Sequence, residues 1–177
     1  MRIALAQINP TVGDIVANTR TILEFTDRAK SQRANIVVFP ELSIVGYPPK
    51  DLLLKPRFVD DNLRAVKQIA SRIPRGIDVI VGYAARNEQP IGRPLHNAVA
   101  VLREGKIVST HFKTLLPTYE VFDESRYFEP GPANETENLV RVGDALDITA
   151  GLSICEDLWN DEKMIPRRLY HQNPSRI

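Results

Sequence analysis

Asp147-Ile148-Thr149-Ala150-Gly151-Leu152-Ser153-Ile154-Cys155-Glu156-Asp157-Leu158-Trp159 carries the only cysteine of the 177-residue chain. From Leu146 to Cys155, apolar residues alternate with polar or small ones, the period-two pattern of a strand. Glu156 and Asp157 break that pattern, and a helix-like segment runs on to Pro166-Arg167-Arg168-Leu169-Tyr170. Cys155 is therefore expected where a strand turns into a helix. A lone cysteine is ordinarily a small buried hydrophobe. A helix N-terminus changes that expectation, because its free N–H groups favour a thiolate and can bind an oxyanion.

The rest of the composition narrows the class of protein. A formal net charge of +1 gives no reason to invoke nucleic acid or an acidic membrane surface. One cysteine excludes an internal disulfide and fits a reducing, cytoplasmic setting. His96, His111 and His171 show no metal-ligand spacing with Cys155, so no zinc site is expected. The length suits one domain, and no apolar run is long enough for a signal peptide or a membrane span.

Working back from Cys155, the chain alternates strands and helices. Arg2 to Ile8 reads as a strand, Asp14 as a helix cap, and Ile15, Ile22, Phe25 and Ala29 as one helical stripe ending near Lys30. Asn35 to Phe39 is a short apolar strand, which completes a βαβ unit. Ser43 to Leu54 is expected to be a loop. Pro56 opens a second amphipathic helix, carried by Val59, Leu63, Val66, Ala70 and Ile73. Asp78 to Ala84 is a further strand, and His96–Leu102 and Lys106–Phe112 flank the hairpin signal Arg103-Glu104-Gly105. Thr114 to Asn138 reads as irregular and Leu139 to Val142 as a short strand. A mixed sheet covered by helices follows.

Glu41, Lys113 and Cys155 each follow a strand of this scheme, and ligands gather at such ends in sheet-based α/β domains. Singly, each has a plain explanation: a loop charge, a solvated edge lysine, a buried thiol. Together they supply the three roles of amide hydrolysis: a carboxylate for protons, a thiol nucleophile and a cation for the oxyanion.

Phe39-Pro40-Glu41-Leu42, Lys113-Thr114-Leu115-Leu116-Pro117 and Ile154-Cys155-Glu156-Asp157 resemble the Glu–Lys–Cys signature of the nitrilase (carbon–nitrogen hydrolase) superfamily. Glu41 to Leu53 and Leu116 to Gly131 are similar to segments of one branch, the N-terminal glutaminase domains of glutamine-dependent NAD synthetases. Glu120 stands where glycine is common in that branch, a departure that concerns the loop's turn and leaves Glu41, Lys113 and Cys155 untouched. The resemblance implies an α/β (α+β) fold, the nitrilase-like α-β-β-α sandwich of mixed sheets flanked by helices. It also implies that residues 1–177 are a partial domain, C-terminally incomplete, with the synthetase domain absent.

By the same resemblance Cys155 attacks the side-chain amide of glutamine and Glu41 is the general base. Lys113 and the backbone N–H of Glu156 hold the oxyanion. Glu124 orients Lys113 and the substrate amide, while Tyr119, Glu156 and Trp159 line the glutamine pocket. Lys113 and the helix N-terminus would together depress the Cys155 pKa. No cofactor is implied for this domain; ATP and magnesium belong to the synthetase domain, the implied partner, in an enzyme expected to be a homo-oligomer. Two alternatives stand beside this reading: a stand-alone hydrolase of another small amide or nitrile, and an inactive truncated remnant. Even on the leading reading, these residues alone are expected to turn over weakly or not at all.

Overall fold

Alternation along the central strands decides the layers. The computed structural model describes residues 1–132, 138–143, 148–160, 170, 171 and 174. Strands β2 (Ile36–Val38), β3 (Asp78–Arg86) and β4 (Leu95–Arg103) are buried along almost their whole length. Val37, Val79, Val81, Ala98, Ala100 and Leu102 pack into one cluster with helices α1 (Ile15–Ser31) and α2 (Pro56–Ser71). Their neighbours Ile36, Ile80, Val99 and Val101 join Val140, Val142 and Ile154 in a second cluster. Successive side chains on a strand point to opposite faces, so one apolar run serves two layers.

The main sheet has the order β1-β2-β3-β4-β5, where β1 is Ile3–Leu5 and β5 is Lys106–Phe112. Its first three strands are parallel, and β3, β4 and β5 are antiparallel. On the face away from α1 and α2 lies an antiparallel pair, β6 (Leu139–Val142) with β7 (Ile148–Gly151). The layers are helices, five-stranded sheet and second sheet, in line with the mixed α/β sandwich expected from the sequence. The helix expected after Asp157 falls largely on 161–169, outside the described residues.

Local signals act as the sequence implies. Asp14 Oδ1 accepts the Ala17 N–H at 3.0 Å, and Pro56 occupies the first turn of α2. Glu104 and Gly105, at φ 44° and 83°, form the two-residue turn between β4 and β5, a turn that demands positive φ at both positions. Two elements are shorter or more ordered than the sequence pattern suggests. β1 stops at Leu5, where among the described residues it pairs only with β2, and Pro40 has no N–H to prolong that ladder. The loop after Ser43 contains a 3₁₀ turn at Lys50–Leu54.

A buried ion pair joins the two sheets. Asp78, 1% exposed, accepts Arg103 Nε on Oδ1 and Arg103 Nη2 on Oδ2, both at 2.7 Å. The Gly143 N–H donates to Asp78 Oδ2 at 2.8 Å, and Arg103 Nη2 also donates to the Arg141 carbonyl at 2.8 Å. Removing one partner of such a pair leaves the other charge uncompensated. Asp78→Ala is expected to lower unfolding free energy by about 3–5 kcal/mol, read by urea titration. A loss under about 1 kcal/mol would assign this pair the weight of an exposed one.

Candidate active site

Three chain reversals bring the reactive side chains together. After β2 the chain crosses β3 at Gly82, where an added Cβ would lie 2.3 Å from Leu42 N and 2.8 Å from Pro40 O. Only glycine admits that crossing, and the crossing carries Glu41 inward. Lys113 directly follows β5; its N–H donates to the Asn97 carbonyl on β4 at 2.8 Å, and its carbonyl accepts the Gly131 N–H at 2.7 Å. Cys155, at φ 48°, sits in the left-handed region at the start of a four-residue 3₁₀ turn, Cys155–Leu158.

Lys113 is 0% exposed, and its ammonium is the hub of the site. Nζ donates to Glu41 Oε1 at 2.7 Å and to Glu124 Oε1 at 2.9 Å. The Tyr47 hydroxyl donates to Glu124 Oε1 at 2.8 Å. Asn97 Nδ2 donates to Glu41 Oε1 at 2.6 Å and to Glu124 Oε2 at 3.3 Å. Burial alone would push the lysine pKa down, but the Glu41 and Glu124 charges outweigh it, so Lys113 stays charged. Burial and the Glu41 charge raise the Glu124 pKa, against the opposing pull of Lys113. Counting formal charges, two carboxylates surround one ammonium.

That count reverses the expectation for the thiol. Burial, and then the Glu41 charge, push the Cys155 pKa from 9.0 up to about 11, with Lys113 opposing. The lysine cannot enforce a thiolate because both carboxylates already claim it. Among the described residues Cys155 opens a four-residue 3₁₀ turn, Cys155–Leu158. At neutral pH Cys155 is a thiol, so any attack by its sulfur has to shed a proton.

Asp157, 1% exposed, fixes the Cys155 turn to the Lys113 loop. Its Oδ1 accepts the N–H groups of Thr114 (3.1 Å) and Leu115 (2.8 Å), and its Oδ2 that of Ile154 (3.3 Å). On the other side of Cys155, buried Glu156 accepts the Tyr119 hydroxyl at 2.9 Å and the Tyr170 hydroxyl at 2.9 Å. Glu120 adopts φ 53°, which accounts for glycine's suitability at that turn. Trp159 is 56% exposed at the end of the 3₁₀ turn, away from the buried cluster. A cavity of about 330 Å³ opens between the two sheets, with Glu41, Ser153 and Cys155 the polar residues in a wall otherwise built from apolar side chains and glycine. Thus Glu41, Lys113, Glu124 and Cys155 converge, and Tyr119 meets Glu156. Asn97, Tyr47, Asp157 and Tyr170 were not anticipated. Asn97 alone left a trace, as a polar residue inside an apolar run.

The carbon-nitrogen hydrolase profile matches residues 2–172. The chain belongs to the carbon-nitrogen hydrolase family. A glutamine-dependent NAD(+) synthetase of Synechocystis sp. is 38% identical over 97% of this chain and 30% of its own length. One from Xanthomonas campestris pv. campestris is 43% identical over 93% of this chain and 28% of its length. The chain therefore spans about 30% of the length of these relatives. Among solved structures, the glutamine-dependent NAD+ synthetase of Acinetobacter baumannii superposes with a TM-score of 0.78 at 35% identity, over 92% of this chain and 29% of that one. An amidase from Nesterenkonia sp. gives 0.68 at 26% identity, over 93% of this chain and 58% of its own.

The clamp in this carbon-nitrogen hydrolase carries a pH signature. Burial pushes the Asp157 carboxyl from 3.8 up to about 6, although the N–H groups of Leu115, Ile154 and Thr114 pull it down. The folded state therefore binds the proton more tightly than the unfolded chain, and this group's contribution to stability declines as pH rises from 3.8 to about 6. Subtracting the stability of Asp157→Asn from that of the wild type should leave a difference that falls by on the order of 2 kcal/mol across this window. A flat or rising difference would contradict the assignment.

Proposed function

We propose that this site hydrolyses the side-chain amide of glutamine through a thioester on Cys155. The observation that carries the reading is the buried carboxylate–ammonium–carboxylate cluster beside the only cysteine. Glu41 takes the thiol proton as sulfur attacks the amide carbon, then returns it to the departing ammonia. Lys113 donates two hydrogens to Glu41 and Glu124; its third has no partner among the described residues and serves the oxyanion together with the Glu156 backbone N–H. Glu124 holds Lys113 in that direction. Glu41 next activates the water that hydrolyses the thioester.

By the family resemblance Tyr119, Glu156 and Trp159 line the glutamine pocket; Glu156 is buried and its carboxylate accepts the Tyr119 and Tyr170 hydroxyls. In a longer protein of the kind the relatives represent, the ammonia would pass to a synthetase domain. There ATP, with magnesium, would activate the carboxylate of nicotinic acid adenine dinucleotide for amidation to NAD.

Intact-mass measurement after rapid quenching tests the chemistry without requiring fast turnover. A glutamyl adduct on Cys155 is expected with glutamine, and none in Cys155→Ala. Lys113→Arg keeps the charge but cannot present one compact ammonium, so acylation should slow by about 10²-fold or more. Near-normal acylation in that variant would remove Lys113 from the oxyanion role, and absence of any adduct in the wild type would sink the glutaminase reading.

A further inference from the structure

Asn97 lies on β4 with 0% exposure, the third residue of Leu95-His96-Asn97-Ala98-Val99-Ala100, in a strand whose positions from Ala98 to Leu102 serve the two apolar clusters. Three of its polar groups behave differently. The backbone carbonyl accepts the Lys113 N–H at 2.8 Å. The side-chain nitrogen donates to Glu41 Oε1 at 2.6 Å and to Glu124 Oε2 at 3.3 Å. The side-chain oxygen is buried and has no hydrogen-bond partner among the described residues.

An orphaned buried carbonyl is uncommon and calls for a reason. Here the two carboxylates supply it. They accept only hydrogens, so they fix the amide with its nitrogen toward them and leave its oxygen unserved. The consequence falls on Glu41. Its Oε1 already holds two donors, Lys113 Nζ at 2.7 Å and Asn97 Nδ2 at 2.6 Å, Oε2 takes neither of them, and the Cys155 thiol is within hydrogen-bonding reach of the same carboxylate.

We propose that Asn97 is a positioning residue: with Lys113 it occupies Glu41 Oε1, leaving Oε2 as the oxygen that takes the Cys155 proton. In that step the S–H bond breaks and an Oε2–H bond forms. The sulfur keeps the electron pair with which it attacks a carbon electrophile. Asn97 adds a donor without adding charge, so it restrains the carboxylate without neutralising it as a second lysine would. The inference rests on the reading of Glu41 as the base for Cys155, and it adds the residue that selects the oxygen.

Alkylation of Cys155 by iodoacetamide, followed against pH, reads the Glu41–Cys155 pair in this chain without glutamine. Loss of the donor frees Oε1, so the carboxylate can turn and presents Oε2 to the thiol less often. In Asn97→Ala we expect base-assisted alkylation near neutrality to slow by roughly tenfold. In Asn97→Asp, which replaces the donor with a third carboxylate, the slowing should be larger. The rate at high pH, where the thiolate forms unaided, should match the wild type in both. A merely structural role predicts the opposite order, because aspartate fills the asparagine's space and alanine leaves a cavity. Superimposable pH profiles, a larger effect in the alanine variant, or an equal loss at every pH would each overturn the proposal. Thermal unfolding of both variants shows which rates belong to folded protein, and the near-isosteric Asn97→Asp carries the test if Asn97→Ala does not fold. Wild-type chain that is alkylated normally but forms no glutamyl adduct would refute the glutaminase reading and leave this test standing.

Discussion

A lysine ammonium sealed from water at 0% exposure is the constraint on which the rest of the site depends. Such a charge persists inside a protein only when opposite charge and hydrogen-bond acceptors surround it. Lys113 finds both in Glu41 and Glu124, which are 72 and 11 residues away in sequence. The fold delivers each of them separately. Gly82 lets the Glu41 segment cross β3, Tyr47 and Asn97 hold Glu124, and the Asp157 clamp ties the Lys113 loop to the cysteine turn. Each device is a backbone or buried polar contact whose removal would leave a charge or a donor unsatisfied. The site is therefore coupled to the packing of the sandwich.

The same constraint fixes the acid–base character of Cys155. With two carboxylates on one ammonium, the surroundings of Cys155 are net negative by formal count, and burial adds to the penalty for a thiolate. On the proposed reading, a neutral thiol paired with a carboxylate base couples proton loss to attack, so reactivity is held until an electrophile arrives. This differs from cysteines that stand as thiolates beside an imidazolium or at the start of a long helix.

Much of this was legible in the sequence because the pattern repeats. An apolar run of strand length ends just before Glu41, a hairpin signal leads to Lys113, and period-two alternation leads into Cys155, so the three groups could be placed at strand ends from the sequence alone. Cover on both faces of the main sheet was legible because its strands are apolar on both sides, while the second sheet as one of those covers came only with the family resemblance. What could not be read were properties that depend on assembled neighbours. The sign of the Cys155 shift turns on its burial and on a charge count that includes Glu41 and Glu124. Asn97 sits in an apolar strand and looks like a misplaced polar residue until both carboxylates are set against it. Tyr47 and Tyr170 meet their acceptors across 77 and 14 residues, with no local pattern to mark them.

The most direct test of this account is the titration of the single thiol in the folded wild-type chain, followed by thiolate absorbance. If two carboxylates and burial govern the site, Cys155 remains protonated through neutral pH and ionises with a midpoint near about 11. A thiolate already formed at neutral pH would contradict it, and would mean that the Lys113 charge reaches the sulfur despite Glu41 and Glu124.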